Sequence, residues 1–326
     1  MSVAPGQLRG RCVFLASNAY SGSTLLSLLV GAHPSVGTVS DVSGARRASQ
    51  MAIFTCSCGS LMRECPFWGD VEARLRDTGT AFSLADFGMG FDDHAPRWLG
   101  RLRVRTLGSS RLEAARDRLF ELVPGNERRM REIGVRNTTF ARVILAASRA
   151  DVFVDASKER LRARYLERYV DPELRVIHLV RDVRGVVEST VRRNKRGLSA
   201  AEAARRWARA NEAIMRSIST IPPGRRLMVR YEELCAAPAA TMARIFDFCG
   251  VDADVDVSEL LQRQQHLLGN RMRLQTIGEI GLDERWRVAF RNEEQERIVA
   301  AAGTTFSRLY PSARHAGSGP GSTARG

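Results

Sequence analysis

The chain has 326 residues, 44% hydrophobic and 26% charged, the proportions of an ordinary globular protein, which excludes the disordered and collagen-like classes. Its 50 Lys and Arg against 36 Asp and Glu leave a formal charge of +14, which attracts polyanions and invites a nucleic-acid or membrane-surface reading. Two features weaken that invitation: Lys158 and Lys195 are the only lysines, so the charge is nearly all arginine and partly compositional, and no zinc-finger, RNA-recognition or helix-turn-helix signature accompanies it. No apolar run reaches the about 18 residues of a transmembrane helix, and Met1 to Arg11 lacks the apolar stretch of a secretory signal, so a cytoplasmic protein is expected.

Residues 1–10 are expected to form a flexible N-terminus. Arg11 to Ser17 is a short apolar run leading into Asn18-Ala19-Tyr20-Ser21-Gly22, which predicts a buried strand entering a tight loop. Leu25, Leu28, Leu29 and Ala32 then recur at helical spacing until His33-Pro34 stops the helix. The segment from Ser35 runs on to Asp41 without a strand or helix assignment. Cys12, Cys235 and Cys249 lie among apolar neighbours and read as small core residues. Cys56, Cys58 and Cys65 form a C-x-C-x6-C cluster; thiolates so close can hold zinc, but a tetrahedral site needs a fourth ligand and no histidine follows at zinc-finger spacing. No metal is therefore expected, and a surface turn or a redox-sensitive local bridge are the alternatives.

From about residue 70 to 145, amphipathic stretches such as Arg111 to Leu122 are broken by Gly79, Gly88, Pro96, Gly108 and Pro124-Gly125, which predicts a helical insertion without a flexible linker around it. Strand signals return at Asp151 to Asp155, Arg175 to Arg181 and Arg226 to Arg230, each followed by a helical pattern. Strands alternating with helices predict an α/β fold, three layers with a mainly parallel central sheet. One domain over residues 11–312 is expected, followed by a disordered Gly/Ser/Pro-rich tail at 313–326. Oligomeric state has no signature in the chain.

In open α/β sheets, ligands sit beyond the carboxyl ends of the strands. That edge holds the loops with Ser21 to Thr24, Ser157 and Lys158, Arg181 to Ser189, and Tyr231. Ser21-Gly22-Ser23-Thr24 opens a helix directly after a strand, so the unpaired N–H groups of the helix start offer a seat for a phosphate. Aligned on Gly22 with the nucleotide loop G-x-x-x-x-G-K-[ST], the chain has Ser23 in place of the lysine, so ATP or GTP hydrolysis is not expected. A P-loop-like phosphotransferase or kinase is the second reading, and a basic nucleic-acid-binding protein the third. Arg181, at a strand end, suits bidentate grip of an oxyanion, and Ser189 lies eight residues further on.

Together these motifs resemble the sulfotransferases that use 3′-phosphoadenylyl sulfate (PAPS), in particular the bacterial, carbohydrate-type-like branch. The Ser21-Gly22-Ser23-Thr24 loop is similar to that family's 5′-phosphosulfate loop, and Arg181 with Ser189 to its 3′-phosphate site. Tyr231-Glu232-Glu233-Leu234 is similar to the element whose tyrosine approaches the adenine. Asp155-Ala156-Ser157-Lys158 resembles an Asp-Ser-Ser-Lys element, and Asn270, Arg271 and Arg273 resemble a Gly-Asn-x-x-Arg segment that closes over the nucleotide. The matches run in the family's order over roughly residues 11 to 275. They imply a P-loop-like fold, PAPS as co-substrate without a metal, and in-line transfer to a hydroxyl of a small-molecule, glycan or lipid acceptor. They imply no nucleic-acid partner.

One position departs from the family, which places Lys or Arg immediately before the Ser-Gly pair; this chain has Tyr20, a phenol without positive charge. Lys158 is the expected substitute. The acceptor needs a base just past the first helix, where the family commonly has Gly-Glu; Ser40-Asp41 is similar, which makes Asp41 the first candidate. His33 is the rival, with a helix-capping role as its alternative.

Overall fold

The computed structural model of the protein describes residues 8–42, 54–80, 87–92, 97–193, 197–260, 262–269, 271–274 and 280–311, with the backbone alone at 97, 271 and 272. Five strands make the central sheet: β1 (Cys12–Ser17), β2 (Val36–Ser40), β3 (Val152–Asp155), β4 (Arg175–Val180) and β5 (Arg226–Arg230). They pair in the order β2-β3-β1-β4-β5, and every pairing is parallel. Four strands lie where the apolar runs predict them. The fifth, β2, falls in a segment given no element, because Gly37, Thr38 and Ser40 dilute its apolar pattern to Val36 and Val39. Its five residues are nonetheless all buried. A Cβ at Gly37 would lie 3.2 Å from Leu145, so glycine there lets a helix lie directly on the strand.

The chain crosses from β1 to β2 through α1 (Ser23–Gly31). Between β2 and β3 come α2 (Pro66–Asp77), α3 (Arg97–Arg103), α4 (Ser110–Glu121) and α5 (Asn126–Ser148), the helical insertion that the amphipathic stretches predict. Helix α6 (Arg162–Tyr169) connects β3 to β4, and α7 (Val183–Arg193) and α8 (Ala200–Ser217) connect β4 to β5. After β5 follow α9 (Tyr231–Ala236), α10 (Pro238–Cys249), α11 (Val257–Leu260), α12 (Trp286–Ala289), α13 (Asn292–Ala302) and α14 (Thr304–Leu309). The capping box of Ser199 and Glu202 starts α8: the Glu202 N–H donates to the serine hydroxyl, and the Ser199 N–H donates to the glutamate.

Alternation along β1 sorts the two faces. Cys12, Phe14 and Ala16 enter one buried cluster with Trp68 of α2, Phe140 and Ile144 of α5, Leu166 of α6 and Ile214 of α8. Val13 and Leu15 enter the other, with Leu26 and Leu29 of α1, Leu234 of α9 and Phe246 of α10. The result is helix, sheet, helix, and the insertion shares its apolar cluster with the sheet. Cys12, Cys235 and Cys249 are buried, as their neighbours predict. No helix among the described residues is long and apolar enough to cross a membrane.

The carboxyl end of β3 is anchored by a buried ion pair. Arg162 Nε donates to Asp155 Oδ2 at 2.7 Å, with both side chains 1% exposed. The same guanidinium donates to the Met89 carbonyl at 3.0 Å and to Asn137 Oδ1 of α5 at 2.7 Å. The second carboxylate oxygen accepts from the Ser157 N–H at 2.8 Å. Every strong polar group at this point therefore has a partner, which a buried charge requires. Removing the guanidinium would strand the carboxylate. Arg162→Met is expected to lower the unfolding free energy by about 3–5 kcal/mol. Urea denaturation measures it, and a loss below about 1 kcal/mol would mean that Asp155 finds a substitute partner.

Candidate active site

The loop after β1 is built around Gly22, which caps α1 in the left-handed region at φ 86°. A side chain there would be strained by the backbone and would also meet the Tyr231 ring, since a Cβ would lie 2.4 Å from Tyr231 Cδ2. The glycine thus lets the loop backbone lie close against that ring, and the N–H groups of the first turn of α1 have no carbonyl of their own helix to bond. Tyr20 also holds a left-handed conformation, at φ 65°, unusual for an aromatic residue. Two cations support it: Arg181 Nη1 donates to the Tyr20 carbonyl at 3.1 Å, and the Arg193 guanidinium lies 5.5 Å from the centre of the Tyr20 ring.

A cavity of about 310 Å³ opens over this loop at the carboxyl edge of the sheet. Of the residues proposed from sequence, Tyr20, Gly22, Ser23, Thr24, Lys158, Arg181, Ser189 and Tyr231 line it. Ser21 is buried and Ser189 is 4% exposed. Lys158 is exposed, on a loop whose preceding residues are pinned: Ala156 N–H donates to the Ser40 carbonyl at 2.9 Å, and Ser157 Oγ accepts from the Val42 N–H at 3.1 Å. A larger hollow between α8 and α13 is bordered by Ala200, Arg291 and Arg297 and contains none of these loops.

Arg181 is 6% exposed and held on three sides. Besides the Tyr20 carbonyl it meets Asp283, at 2.9 Å to the carbonyl and 3.1 Å to the carboxylate, and its guanidinium lies 4.6 Å from the centre of the Tyr231 ring. Gly185 makes room for it, because a Cβ there would lie 2.8 Å from Arg181 Nε. Asp283 in turn accepts two hydrogen bonds from the Arg285 guanidinium, at 2.7 and 2.6 Å, and a third from the Arg285 N–H at 3.3 Å. Those bonds, and then Arg181, hold its carboxyl well below the usual carboxylate range. Burial above all pushes the Tyr231 phenol up to about 12, so it stays neutral and its hydroxyl meets the Gly281 carbonyl and the Asp283 N–H, both at 3.4 Å.

Arg193, Gly281, Asp283 and Arg285 also line the cavity, and none of them is among the residues expected from the sequence. Arg193 had a signal, because it lies four residues after Ser189 on α7 and so on the same helix face. Residues 280–285 have no periodic pattern, and their approach to Arg181 arises from tertiary folding.

Two assignments are corrected. His33 is not placed as a base: it is 2% exposed, its Nδ1 accepts from the Ser35 N–H at 3.0 Å, and its Nε2 lies 3.0 Å from the Asp252 carbonyl. Both ring nitrogens are committed, and burial lowers the pKa of the ring. Arg273 does not reach the cavity; it is buried under the 54–65 segment, donating to the Gly269 and Thr55 carbonyls with its guanidinium 4.3 Å from the centre of the Phe54 ring. Tyr231 lines the cavity and packs on Gly22 and Arg181. Asn270 and the Arg271 side chain lie outside the described residues. Asp41 is half-buried at the tip of β2, between Ser40 and Val42, which are both bonded to the Lys158 loop.

The profile of the sulfotransferase family matches residues 92–255. No curated protein matches the sequence. Similar solved structures include the sulfotransferase domain from the curacin biosynthetic pathway, 19% identical over 92% of this chain and 98% of that one, with a TM-score of 0.46. The sulfotransferase domain of the Synechococcus PCC 7002 olefin synthase is 20% identical over 96% and 97% (TM-score 0.45). Sulfotransferase STF9 from Mycobacterium avium is 15% identical over 93% and 78% (TM-score 0.48).

The loop geometry has a direct test. Gly22→Ala is expected to destabilise the protein by at least the roughly 1–2 kcal/mol of a left-handed non-glycine residue, and by more through the Tyr231 clash. Adding Tyr231→Ala should recover the steric part alone. A Tm of Gly22→Ala equal to that of the wild type would contradict the close approach.

Proposed function

The chain belongs to the sulfotransferase family, and we propose that it transfers a sulfuryl group from PAPS to a hydroxyl of a small-molecule, glycan or lipid acceptor. The observation that carries this reading is the cavity itself, which four cationic side chains, Lys158, Arg181, Arg193 and Arg285, line together with the N-terminus of α1, with Asp283 as the single carboxylate among the described residues of the wall. A small, multiply anionic nucleotide suits that charge and that volume. The donor supplies a sulfuryl group already activated by its anhydride to phosphate.

In this reading the N–H groups of Gly22 to Thr24 and the Ser23 and Thr24 hydroxyls hold the sulfonate end. Arg181 and Ser189 hold the 3′-phosphate, with Arg285 beside them. Tyr231 fixes the position of Arg181 and shields one side of the loop. Charge building on the leaving phosphate needs a cation in place before the reaction, since preorganised charge in a pocket is worth more than charge in water. Two residues fit: Lys158 and Arg193. Arg193 stands over Tyr20, the position where the family usually has Lys or Arg. Asp41 is the assigned base for the acceptor hydroxyl, held at its place by the bonds of Ser40 and Val42 to the Lys158 loop.

Ser189→Ala is expected to weaken binding of 3′-phosphoadenosine 5′-phosphate roughly 10-fold and Arg181→Ala up to about 100-fold, the loss of one charge-assisted hydrogen bond or more. Calorimetric titration measures both, and unchanged affinity in either would remove the residue from the 3′-phosphate site. For the chemistry, Asp41→Asn should lower kcat about 10²–10⁴-fold while sparing bisphosphate affinity. Lys158→Met and Arg193→Met, assayed singly and together with labelled PAPS, identify the leaving-group cation. Full rate in the double variant would exclude both.

A further inference from the structure

The cysteine cluster lacks a fourth ligand in the sequence; the fold provides one. Cys56, Cys58 and Cys65 come from a turn before α2, and His266 arrives 201 residues after Cys65. Their ligand atoms all lie within 4.8 Å of one another. His266 Nδ1 is 3.6 Å from Cys56 Sγ and 3.3 Å from Cys65 Sγ, and Cys58 Sγ is 3.6 Å from Cys65 Sγ. A tetrahedral zinc ion with bonds of about 2.3 Å to sulfur and about 2.0–2.1 Å to nitrogen sets ligand separations of about 3.8 Å between sulfurs and about 3.6 Å between sulfur and nitrogen. These three spacings match such a site within a few tenths of an ångström, and all the others lie within 4.8 Å, close enough for one ion to draw the ligands together. They are far from a disulfide, whose sulfurs lie about 2.05 Å apart.

The surroundings favour an ion rather than a loose group of thiols. Cys56 and Cys65 are buried, and the turn is wound tightly, with the Cys56 N–H donating to the Ser60 carbonyl at 2.9 Å and Gly59 in the left-handed region at φ 93°. The His266 ring is stacked on Phe67, centres 4.5 Å apart and planes 5° from parallel, which fixes the direction of Nδ1. Three sulfurs and one imidazole are a zinc donor set, and four protein ligands leave no open position, so the ion would be structural.

We infer that Cys56, Cys58, Cys65 and His266 bind one zinc ion that clamps the 265–269 segment onto the edge of the sheet beside Asp41. On binding, the three thiols give up their protons to solvent and the imidazole binds as the neutral base, so no oxidant or reductant is needed. The clamp is continuous with the site. Ser57 Oγ donates to the Gln265 carbonyl and accepts from the Leu267 N–H, and Gln265 Nε2 donates to the Leu28 carbonyl of α1 at 2.8 Å. Leu268 N–H donates to the Val39 carbonyl of β2 at 2.9 Å, and a Cβ at Gly269 would lie 3.5 Å from Asp41 Cβ. The ion would thus join two segments distant in sequence at the strand that carries the proposed base.

Metal analysis of the full chain, made in zinc-supplemented medium and purified without chelator, tests this. About one zinc per chain is expected, and cobalt(II) exchanged for it should give the intense visible bands of tetrahedral thiolate coordination. Cys58→Ser and His266→Ala should each lose the zinc and the cobalt spectrum and lower the Tm. If a variant fails to fold, the wild-type zinc stoichiometry and cobalt spectrum still decide. Less than about 0.1 zinc per chain after incubation with zinc under reducing conditions, a Cys58–Cys65 disulfide in the purified protein, or full zinc retention in His266→Ala would each overturn the assignment. None of these readouts depends on sulfotransferase turnover, so the metal site and the proposed reaction stand or fall separately.

Discussion

The ion pair of Asp155 and Arg162 is the constraint on which the working edge of the sheet depends. A carboxylate at the end of a central strand, 1% exposed, is tolerable because one guanidinium meets it and spends its other donors on Met89 and Asn137. That single arginine therefore ties β3 to the helical insertion. The other oxygen of the carboxylate holds the Ser157 N–H, Ser157 holds Val42, and Ala156 holds Ser40. Lys158 and Asp41, on neighbouring loops, inherit their positions from this chain of bonds.

The same logic of committed donors explains the cavity. Arg181 is largely spoken for by Tyr20, Asp283 and the Tyr231 ring, so it arrives preoriented. Asp283 offsets part of the positive charge and is itself held by Arg285. Elsewhere arginines are paired along helix surfaces, as with Arg74 and Asp70 at 2.7 Å, Arg128 and Glu132 at 2.9 Å, or Arg131 and Glu127 at 3.1 Å. Exposed pairs of this kind contribute about 0–1 kcal/mol each. Such pairs cancel, so the formal charge of +14 is carried by basic residues in excess of the acids, and part of that excess is concentrated over the α1 loop, where Lys158, Arg181, Arg193 and Arg285 meet Asp283.

Much of this was legible in the sequence, and the exceptions share a cause. Four strands announced themselves as short branched apolar runs, while β2 did not, since its burial comes from α5 lying on Gly37 rather than from its own composition. The Ser21 to Thr24 loop, Arg181 and Ser189 were legible because helix starts and strand ends carry local chemistry. His33 looked like a base because its ring is titratable, yet both nitrogens are bonded, one of them to residue 252. Arg273 looked like a nucleotide clamp for the same kind of reason, whereas its charge is absorbed by carbonyls of residues 55 and 269.

What the sequence determined by itself were the features set by neighbours within a few residues: the alternation of strands and helices, the glycine at the start of α1, the arginine closing β4, and the three cysteines of the turn. Only the tertiary structure decided which distant groups meet them. Arg285 beside Arg181, Arg193 over Tyr20, and His266 completing the cysteine cluster are all juxtapositions across the fold. Periodicity and local spacing report the conformation of a segment, but a hydrogen bond, an ion pair or a ligand set joins whatever the packing of the core brings together.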